Sequence, residues 1–295
     1  MEKFHVSKVV IIDSLDEHEF QTGELLETAI RHEFEEHNLP LSVERHSLTW
    51  AGEFEAIINL LAQEAESGYP ILHIEMHGDK VDGLIFKNGS NLQWEEVTGI
   101  LARLNRATKF NLVCVFAACY GAYFTHGFWV NYASPCLALI APEEELSPDE
   151  VYRGFRTLYR NLAILKDMGK AADLLDKQAP IKGGWFQMRA DIWFYEILRA
   201  YVLENATDEA ITWRAMEFQA FRLELASDSI TLKDAKSAIF SIIRKHISHL
   251  AFEKFFMIEE FPENSARFEE VRKKIAEDLL PLIGHRPSIT EKKEK

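Results

Sequence analysis

The chain has 295 residues, 47% hydrophobic and 27% charged, a balance typical of a globular protein with a sizeable core. Its formal net charge of −14 argues against binding along a nucleic-acid backbone, which requires clustered lysine and arginine. The sequence contains neither an apolar run of about 18 residues nor a signal-peptide pattern, so we expect no membrane segment and no export. Its three cysteines lie in apolar surroundings that suit reduced thiols, and we therefore expect a cytoplasmic protein.

The first half of the chain alternates strand and helix patterns. Short β-branched or apolar runs predict strands at 8–13, 41–48, 71–76, 110–118 and 135–142. Apolar residues at helical spacing predict helices at 19–37, 53–67, 94–105, 147–165 and 170–177. This alternation is typical of βαβ units and a parallel sheet. We therefore predict an α/β domain over residues 1–184, built as a three-layer α/β/α sandwich around a mostly parallel sheet.

The pattern changes after Gly183 and Gly184. Helical spacing predicts helices at 189–204, 208–226, 232–256 and 265–280, and no convincing strand pattern follows. We therefore predict an all-helical C-terminal region over residues 185–287. Residues 288–295 form a charged tail, which we expect to be disordered.

Two strand patterns end in residues that can carry out chemistry. "ILHIEM" is followed by His77 and Gly78, and "FNLVCVFAA" is followed by Cys119. In a parallel sheet, ligands bind beyond the carboxyl ends of the strands, and consecutive strands are commonly neighbours. Acyl transfer by a cysteine needs a thiol, a nearby base and backbone N–H donors for the oxyanion. We therefore predict a His77–Cys119 dyad, with the amides of Gly78 and Cys119 as the oxyanion hole.

At these residues the sequence resembles a known family. "HIEMHG", followed some forty residues later by "VFAACYG", is similar to the caspase-type cysteine peptidases, and most similar to their bacterial CHAT branch. The caspase signature is met at Ala118, Cys119 and Gly121, but Ala117 stands where caspases have glutamine and Tyr120 also departs from the pattern. The similarity continues through "DGLIFKNGSNLQWEEVTGIL" and "ALIAPEEELSPDEVYRGF", and covers roughly residues 70–180.

The resemblance implies a caspase-like fold and a cysteine endopeptidase without a metal or organic cofactor. Cys119 would attack the peptide carbonyl to form a thioester, and His77 would act as general base and acid. The substrate would be a protein or peptide. Members of this group often act as regulated proteases in bacterial defence or cell death, so the helical region is a candidate surface for an activating protein partner.

Simpler interpretations apply to each residue taken alone. A single cysteine after an apolar strand is often a small buried hydrophobe, and a single His-Gly is often only a turn. Cys114 and Cys136 fit core positions, their spacing matches no zinc motif, and His73 fits a hydrogen-bonded core histidine. Two functional alternatives remain: a non-catalytic binding module with the same fold, and a cysteine hydrolase of non-peptide amides or thioesters.

Acidic residues follow the fifth predicted strand, at the edge where the dyad is expected. Glu143, Glu144 and Asp149 could select a basic residue before the scissile bond, because a desolvated carboxylate discriminates sharply between side chains. The simpler interpretation is a solvated loop that supplies negative charge to the N-terminus of the next helix. Asp79 and Asp82, in the loop after His77, are weaker candidates for substrate contact.

Overall fold

The computed structural model describes residues 6–224 and 230–285, which divide into two compact units. Residues 6–128 and 134–190 form the first unit. Residues 129–133 form the second unit together with the described residues after 190. The predicted charged tail, 288–295, lies outside the described residues.

The first unit contains all the strands found among the described residues. They are β1 (Val6–Ser14), β2 (Ser42–Ser47), β3 (Tyr69–Asp79), β4 (Gly83–Ile85), β5 (Asn91–Leu92), β6 (Val113–Ala117), β7 (Ala138–Pro142) and β8 (Trp185–Arg189). Its helices are α1 (Thr22–Glu36), α2 (Ala51–Glu64), α3 (Trp94–Ala107), α4 (Pro148–Leu165), α5 (Met168–Asp173) and α6 (Leu175–Gln178), with 3₁₀ turns at Ala65–Ser67 and Gly121–Gly127.

These strands form a mostly parallel mixed sheet in the order β2-β1-β3-β6-β7-β8. Every neighbouring pair along this path is parallel except β7 and β8, which are antiparallel. β4 and β5 extend the carboxyl end of β3 as a small antiparallel addition. The five strands predicted from the sequence are all present, so the predicted α/β class and the mostly parallel sheet are confirmed.

Helices cover both faces of the sheet. On one face, apolar residues of β1, β3 and β6 such as Ile11, Ile71 and Val115 share a core cluster with Leu26 of α1 and Phe155 of α4. The opposite face carries Phe116, whose ring centroid lies 6.0 Å from that of Trp94 in α3. Successive side chains of a strand point to opposite faces, which explains why nearly every residue of these strands is buried. The arrangement fits a three-layer α/β fold.

The entry into α4 fixes the loop that follows β7. Ser147 is the N-cap: its hydroxyl accepts from the Glu150 amide, and the Glu150 carboxylate accepts from the Ser147 amide. Pro148 occupies the first helical position, where no N–H is needed. The helix ends at Lys166, which is in the left-handed conformation. The segment before the helix lies at the carboxyl edge of the sheet, where the Glu144 carbonyl accepts from the Tyr120 amide at 3.4 Å.

The domain boundary predicted at residue 184 is wrong by about one strand. The sequence pattern places Trp185–Arg189 in the helical region, but this segment forms β8 and pairs with β7, with Pro142 opposite Trp185. Trp185 is buried, and its ring centroid lies 4.9 Å from that of Phe155. The strand is hard to recognise because its aromatic residues run directly into α7 without an intervening loop, so that one apolar pattern hides two elements.

After Ala190 the described residues are helical or turns, as predicted. The helices are α7 (Ala190–Asn205), α8 (Asp208–Glu224), α9 (Leu232–Lys245), α10 (Ala251–Phe255), α11 (Glu263–Arg267) and α12 (Glu269–Lys274), with π-helical turns at His246–Leu250 and Ile275–Leu279 and a 3₁₀ turn at Leu280–Leu282. Phe194, Phe252, Phe255 and Phe256 form an aromatic core within this unit. None of the described helices combines the length and the apolar character needed to cross a bilayer.

Candidate functional site

The sheet brings three chain segments together at its carboxyl edge. From β1 the chain leaves toward β2, whereas from β3 it leaves toward β6 on the other side. Adjacent strands whose connections diverge in this way define a topological switch point, where α/β proteins bind ligands. Glu19 follows β1, His77 is near the end of β3, and Cys119 follows β6. The predicted dyad therefore lies at this edge, next to the switch point.

The register between β3 and β6 places the two predicted catalytic residues at the same level. Glu75 is opposite Ala117, and two residues later come His77, which is still on β3, and Cys119, which is in the turn after β6. Neighbouring strands are about 4.8 Å apart. A Cβ built on Gly78 would lie 2.3 Å from the carbonyl oxygen of Cys119, so the two backbones are in close contact. Only glycine allows this approach, which explains why Gly78 follows the histidine.

His77 is accessible and oriented by a residue that sequence reasoning missed. Its side chain is 56% exposed, and its Nε2 lies 2.6 Å from Oε1 of Glu19. The other Glu19 oxygen accepts from the Asp16 amide at 2.7 Å, which holds the carboxylate in place. Since a carboxylate accepts hydrogen bonds, Nε2 carries the proton in this pair and Nδ1 is the nitrogen left for proton transfer. No sequence motif could reveal this contact, because the two residues are 58 positions apart.

Cys119 sits on a sharp turn after β6. Tyr120 has φ of 58°, in the left-handed region, and the Gly121 amide donates to the Ala118 carbonyl at 3.0 Å. A non-glycine residue in this conformation costs about 1 kcal/mol, and such strain is concentrated at functional sites. The partly exposed thiol lies 4.0 Å from the Leu146 carbonyl oxygen. The described hydrogen bonds of the Cys119 thiol and of the His77 imidazole do not join these two groups.

The predicted oxyanion donors are the backbone amides of Gly78 and Cys119, the two residues whose backbones are in close contact. The Cys119 amide has no hydrogen-bond acceptor among the described residues, so it is available to bind a developing negative charge. Gly78 belongs to β3, where it is opposite Leu84 of β4. The close approach of Gly78 to the Cys119 carbonyl brings both donor residues to the same small region.

The carboxylates predicted to bind substrate either make contacts elsewhere or are exposed to solvent. Glu144 forms an ion pair with Lys182 at 3.1 Å, and Asp149 is exposed in the first turn of α4, where the helix dipole favours it. Glu143 is exposed. Asp79 accepts from the Val81 and Asp82 amides at 2.7 and 3.0 Å, and these backbone hydrogen bonds lower the pKa of its carboxyl. None of the described contacts of these side chains reaches the Cys119 sulfur.

Glu145, rather than Glu144, contacts the turn that carries Cys119. Its carboxylate accepts from the Tyr120 hydroxyl at 2.8 Å, and this hydrogen bond, followed by desolvation, raises the pKa of Tyr120 to about 12. The ammonium of Lys80 lies over the Tyr120 ring, 4.7 Å from the ring centroid. Tyr120 therefore stays protonated at neutral pH and is clamped between an anion and a cation.

The other two cysteines and His73 occupy the core, as predicted. Cys114 and Cys136 are fully buried, and desolvation raises the pKa of the Cys114 thiol far above its ordinary value. His73 is fully buried, with Nδ1 3.1 Å from the Tyr159 hydroxyl and Nε2 3.1 Å from Oε2 of Glu75. Burial, and secondly the charge of Glu75, raise the pKa of the Tyr159 hydroxyl.

Within the described residues, one cluster has donor atoms close enough for a metal ion: Glu33, Glu36 and His37. It lies at the C-terminal end of α1, whereas Glu19 and the dyad lie beyond the other end of that helix. Arg160 approaches Glu33 to 3.9 Å and competes for its carboxylate. The cluster is therefore separate from the predicted dyad.

No family model matches the sequence, and no curated protein matches it. Among solved structures, the chain is similar to Raptor of Chaetomium thermophilum, with 12% identity and a TM-score of 0.33. The similarity covers 97% of this chain but only 30% of the Raptor chain. A likeness at this level assigns neither fold family nor function.

We predict that Gly78→Ala destabilises the protein by about 1–3 kcal/mol, because the new methyl must push β3 away from the backbone of Cys119. Urea unfolding measures the loss. Gly99→Ala is the matched control, because Gly99 lies in α3 and a methyl group added there would meet no atom within 4 Å. This control should leave stability unchanged or raise it by up to about 1 kcal/mol. Equal stability of Gly78→Ala and the wild type would contradict the described contact.

Proposed function

We propose that the chain is a caspase-like cysteine endopeptidase in which Cys119 and His77 carry out peptide-bond cleavage. The observation that carries the proposal is the convergence of the His77-Gly78 pair and Cys119 at one level of the sheet edge. The mostly parallel sheet with helices on both faces and the resemblance of residues 70–180 to the CHAT branch support the same assignment. The third contact, from Glu19 to His77, adds the orienting group that nucleophile–base pairs commonly use.

The chemistry begins with attack of the Cys119 sulfur on the substrate carbonyl carbon. A C–S bond forms, the thiol proton passes to Nδ1 of His77, and the carbonyl oxygen becomes an oxyanion bound by the amides of Cys119 and Gly78. The C–N bond then breaks as the imidazolium donates its proton to the leaving amine, which leaves a thioester on Cys119. Water attacks the thioester with His77 as base, which releases the acid and restores the thiol.

Glu19 has its own place in this sequence. The imidazole becomes positively charged after it accepts the thiol proton, and a carboxylate 2.6 Å from Nε2 stabilises that charge. The same contact occupies Nε2, which leaves Nδ1 as the ring nitrogen that exchanges the proton with the thiol. The thiol lies near the Leu146 carbonyl at 4.0 Å, so substrate binding must bring sulfur and imidazole into line. Catalytic hydrogen bonds are often long before substrate binds.

The direct test is digestion of a sequence-diverse peptide library, with each cleavage site identified by mass spectrometry. We expect the wild type to cleave and Cys119→Ala to be inactive while folded, since truncating a partly exposed thiol changes stability by less than about 1 kcal/mol. Cys136→Ala is the matched control: it removes a fully buried thiol and should retain cleavage. Cleavage by Cys119→Ala would sink the assignment, and absence of cleavage by the wild type would favour a binding module.

We also predict that Glu19→Gln lowers kcat by about tenfold or more with little change in KM, because glutamine cannot stabilise the imidazolium. Steady-state kinetics on a peptide cleaved by the wild type gives both constants. Glu17→Gln, an exposed carboxylate two residues earlier in the same loop, should leave both unchanged. A kcat equal to that of the wild type would show that Glu19 has no role in catalysis.

A further inference from the structure

Glu75 carries a buried carboxylate that the proposed chemistry does not use. The residue is 1% exposed, and its Oε2 lies 3.1 Å from Nε2 of His73. Its Oε1 is buried with no hydrogen-bond partner among the described residues. Burying a carboxylate oxygen without a hydrogen-bond donor is strongly unfavourable. The presence of such an oxygen at Glu75 therefore points to a donor that binds to it transiently.

Glu75 lies next to the dyad, two residues further from the carboxyl edge of the sheet. It is two residues before His77 on β3, and Ala117, its register partner on β6, is two residues before Cys119. Side chains two apart on a strand point to the same face, so Glu75 and His77 share a face. Ala117 contributes only a methyl group beside Glu75, which leaves this position on β6 without a long side chain.

The remaining neighbours of Glu75 do not complete its hydrogen bonding. On β1 its register partner is Asp13, whose carboxylate is paired with Arg45 at 2.7 Å. On α4, the Tyr159 hydroxyl is 3.1 Å from Nδ1 of His73 and the Phe155 ring is 5.0 Å from its imidazole, and neither residue donates a hydrogen bond to Oε1 of Glu75. The register partners of Glu75 are thus an anion on β1 and a methyl group on β6, and neither can donate a hydrogen bond to Oε1.

We propose that Glu75 Oε1 binds the cationic side chain of the substrate residue that precedes the scissile bond, an inference that rests on the proposed peptidase function. Two residues of strand separate the level of Cys119 from that of Glu75, which is about 6.6 Å at a rise of about 3.3 Å per residue. The long stems of lysine and arginine span such a distance, whereas leucine and aspartate are too short. Because Glu75 is buried, the residues that enclose it must move apart when the substrate side chain enters. The resulting ion pair forms away from water, where a carboxylate discriminates strongly between cationic and neutral side chains.

This assignment replaces the acidic loop as the source of a basic preference. Glu144 is paired with Lys182, and the Asp149 carboxylate belongs to the first turn of α4. Glu75 differs from both because it is buried and has an oxygen without a donor. The departure of Ala117 from the caspase signature also acquires a physical meaning, since a larger side chain there would fill the space beside Glu75.

The test uses two peptidyl chloromethyl ketones that differ only in the residue next to the electrophile, lysine or norleucine. The thiolate displaces chloride and forms a C–S bond, and intact-protein mass spectrometry gives the labelling rate at Cys119. We expect the wild type to react at least about tenfold faster with the lysine probe. Glu75→Gln should abolish this preference by slowing the lysine probe while leaving the norleucine rate unchanged. Glu144→Gln, a matched surface carboxylate, should keep the preference.

Each contrary result has a separate meaning. Equal rates for both probes on the wild type, or a preference that survives in Glu75→Gln, would overturn the role of Glu75 while the labelling itself still supports a nucleophilic Cys119. Failure of both probes to label Cys119 would overturn the peptidase proposal as well. If Glu75→Gln does not fold, as judged by thermal unfolding, Ala117→Val takes its place: the carboxylate stays, the space narrows, and the lysine preference should fall. An unchanged preference in Ala117→Val would then count against the proposal.

Discussion

The pairing of β3 with β6 is the constraint on which the candidate site depends. Because the two strands are parallel and Glu75 is opposite Ala117, the residues that follow them reach the sheet edge at the same level. A shift of one residue would turn one of the two side chains to the other face. The glycine after His77 then allows the β3 backbone to contact the carbonyl of Cys119. The register is in turn fixed by buried apolar residues on both faces, so the core determines the geometry of the site.

Around this pairing, the site is assembled from segments that are distant in sequence. Glu19 arrives from the loop after β1 and holds His77 across the switch point of the sheet. The capped start of α4 holds the loop after β7, which contacts the turn of Cys119 through Leu146 and Glu145. Below the dyad, the same face of β3 carries the buried His73–Glu75 pair. One strand thus supplies the proposed base, the glycine contact and the buried carboxylate.

The elements of the fold could be predicted from the sequence for clear physical reasons. Buried parallel strands are short continuous apolar runs, and the helices between them have strong 3.6-residue periodicity, so both patterns are visible locally. The two strand ends and the core role of His73 follow from the same patterns. Three strands are exceptions: β4 and β5 are only three and two residues long, and the aromatic residues of β8 merge with α7 while its partners on β7 lie more than 40 positions away.

The contacts of the site are harder to predict than its location. No spacing rule connects Glu19 to His77, and nothing in "PEEELSP" distinguishes Glu144, which pairs with Lys182, from Glu145, which binds Tyr120. In the sequence Glu75 is an ordinary polar residue inside a strand, and only three-dimensional burial shows that one of its oxygens lacks a donor. Charged side chains select their partners through tertiary structure, which composition and periodicity do not encode.

The central claim is that Cys119 forms an acyl-enzyme that His77 helps to hydrolyse. It is tested most directly by rapid quenching of the protein with an activated peptidyl ester, followed by intact-mass measurement and mapping of the modified residue. We expect turnover with a transient acyl adduct on Cys119 in the wild type, accumulation of that adduct without turnover in His77→Ala, and no adduct in Cys119→Ala. Turnover without any adduct on Cys119, or an adduct that His77→Ala hydrolyses as fast as the wild type, would contradict it.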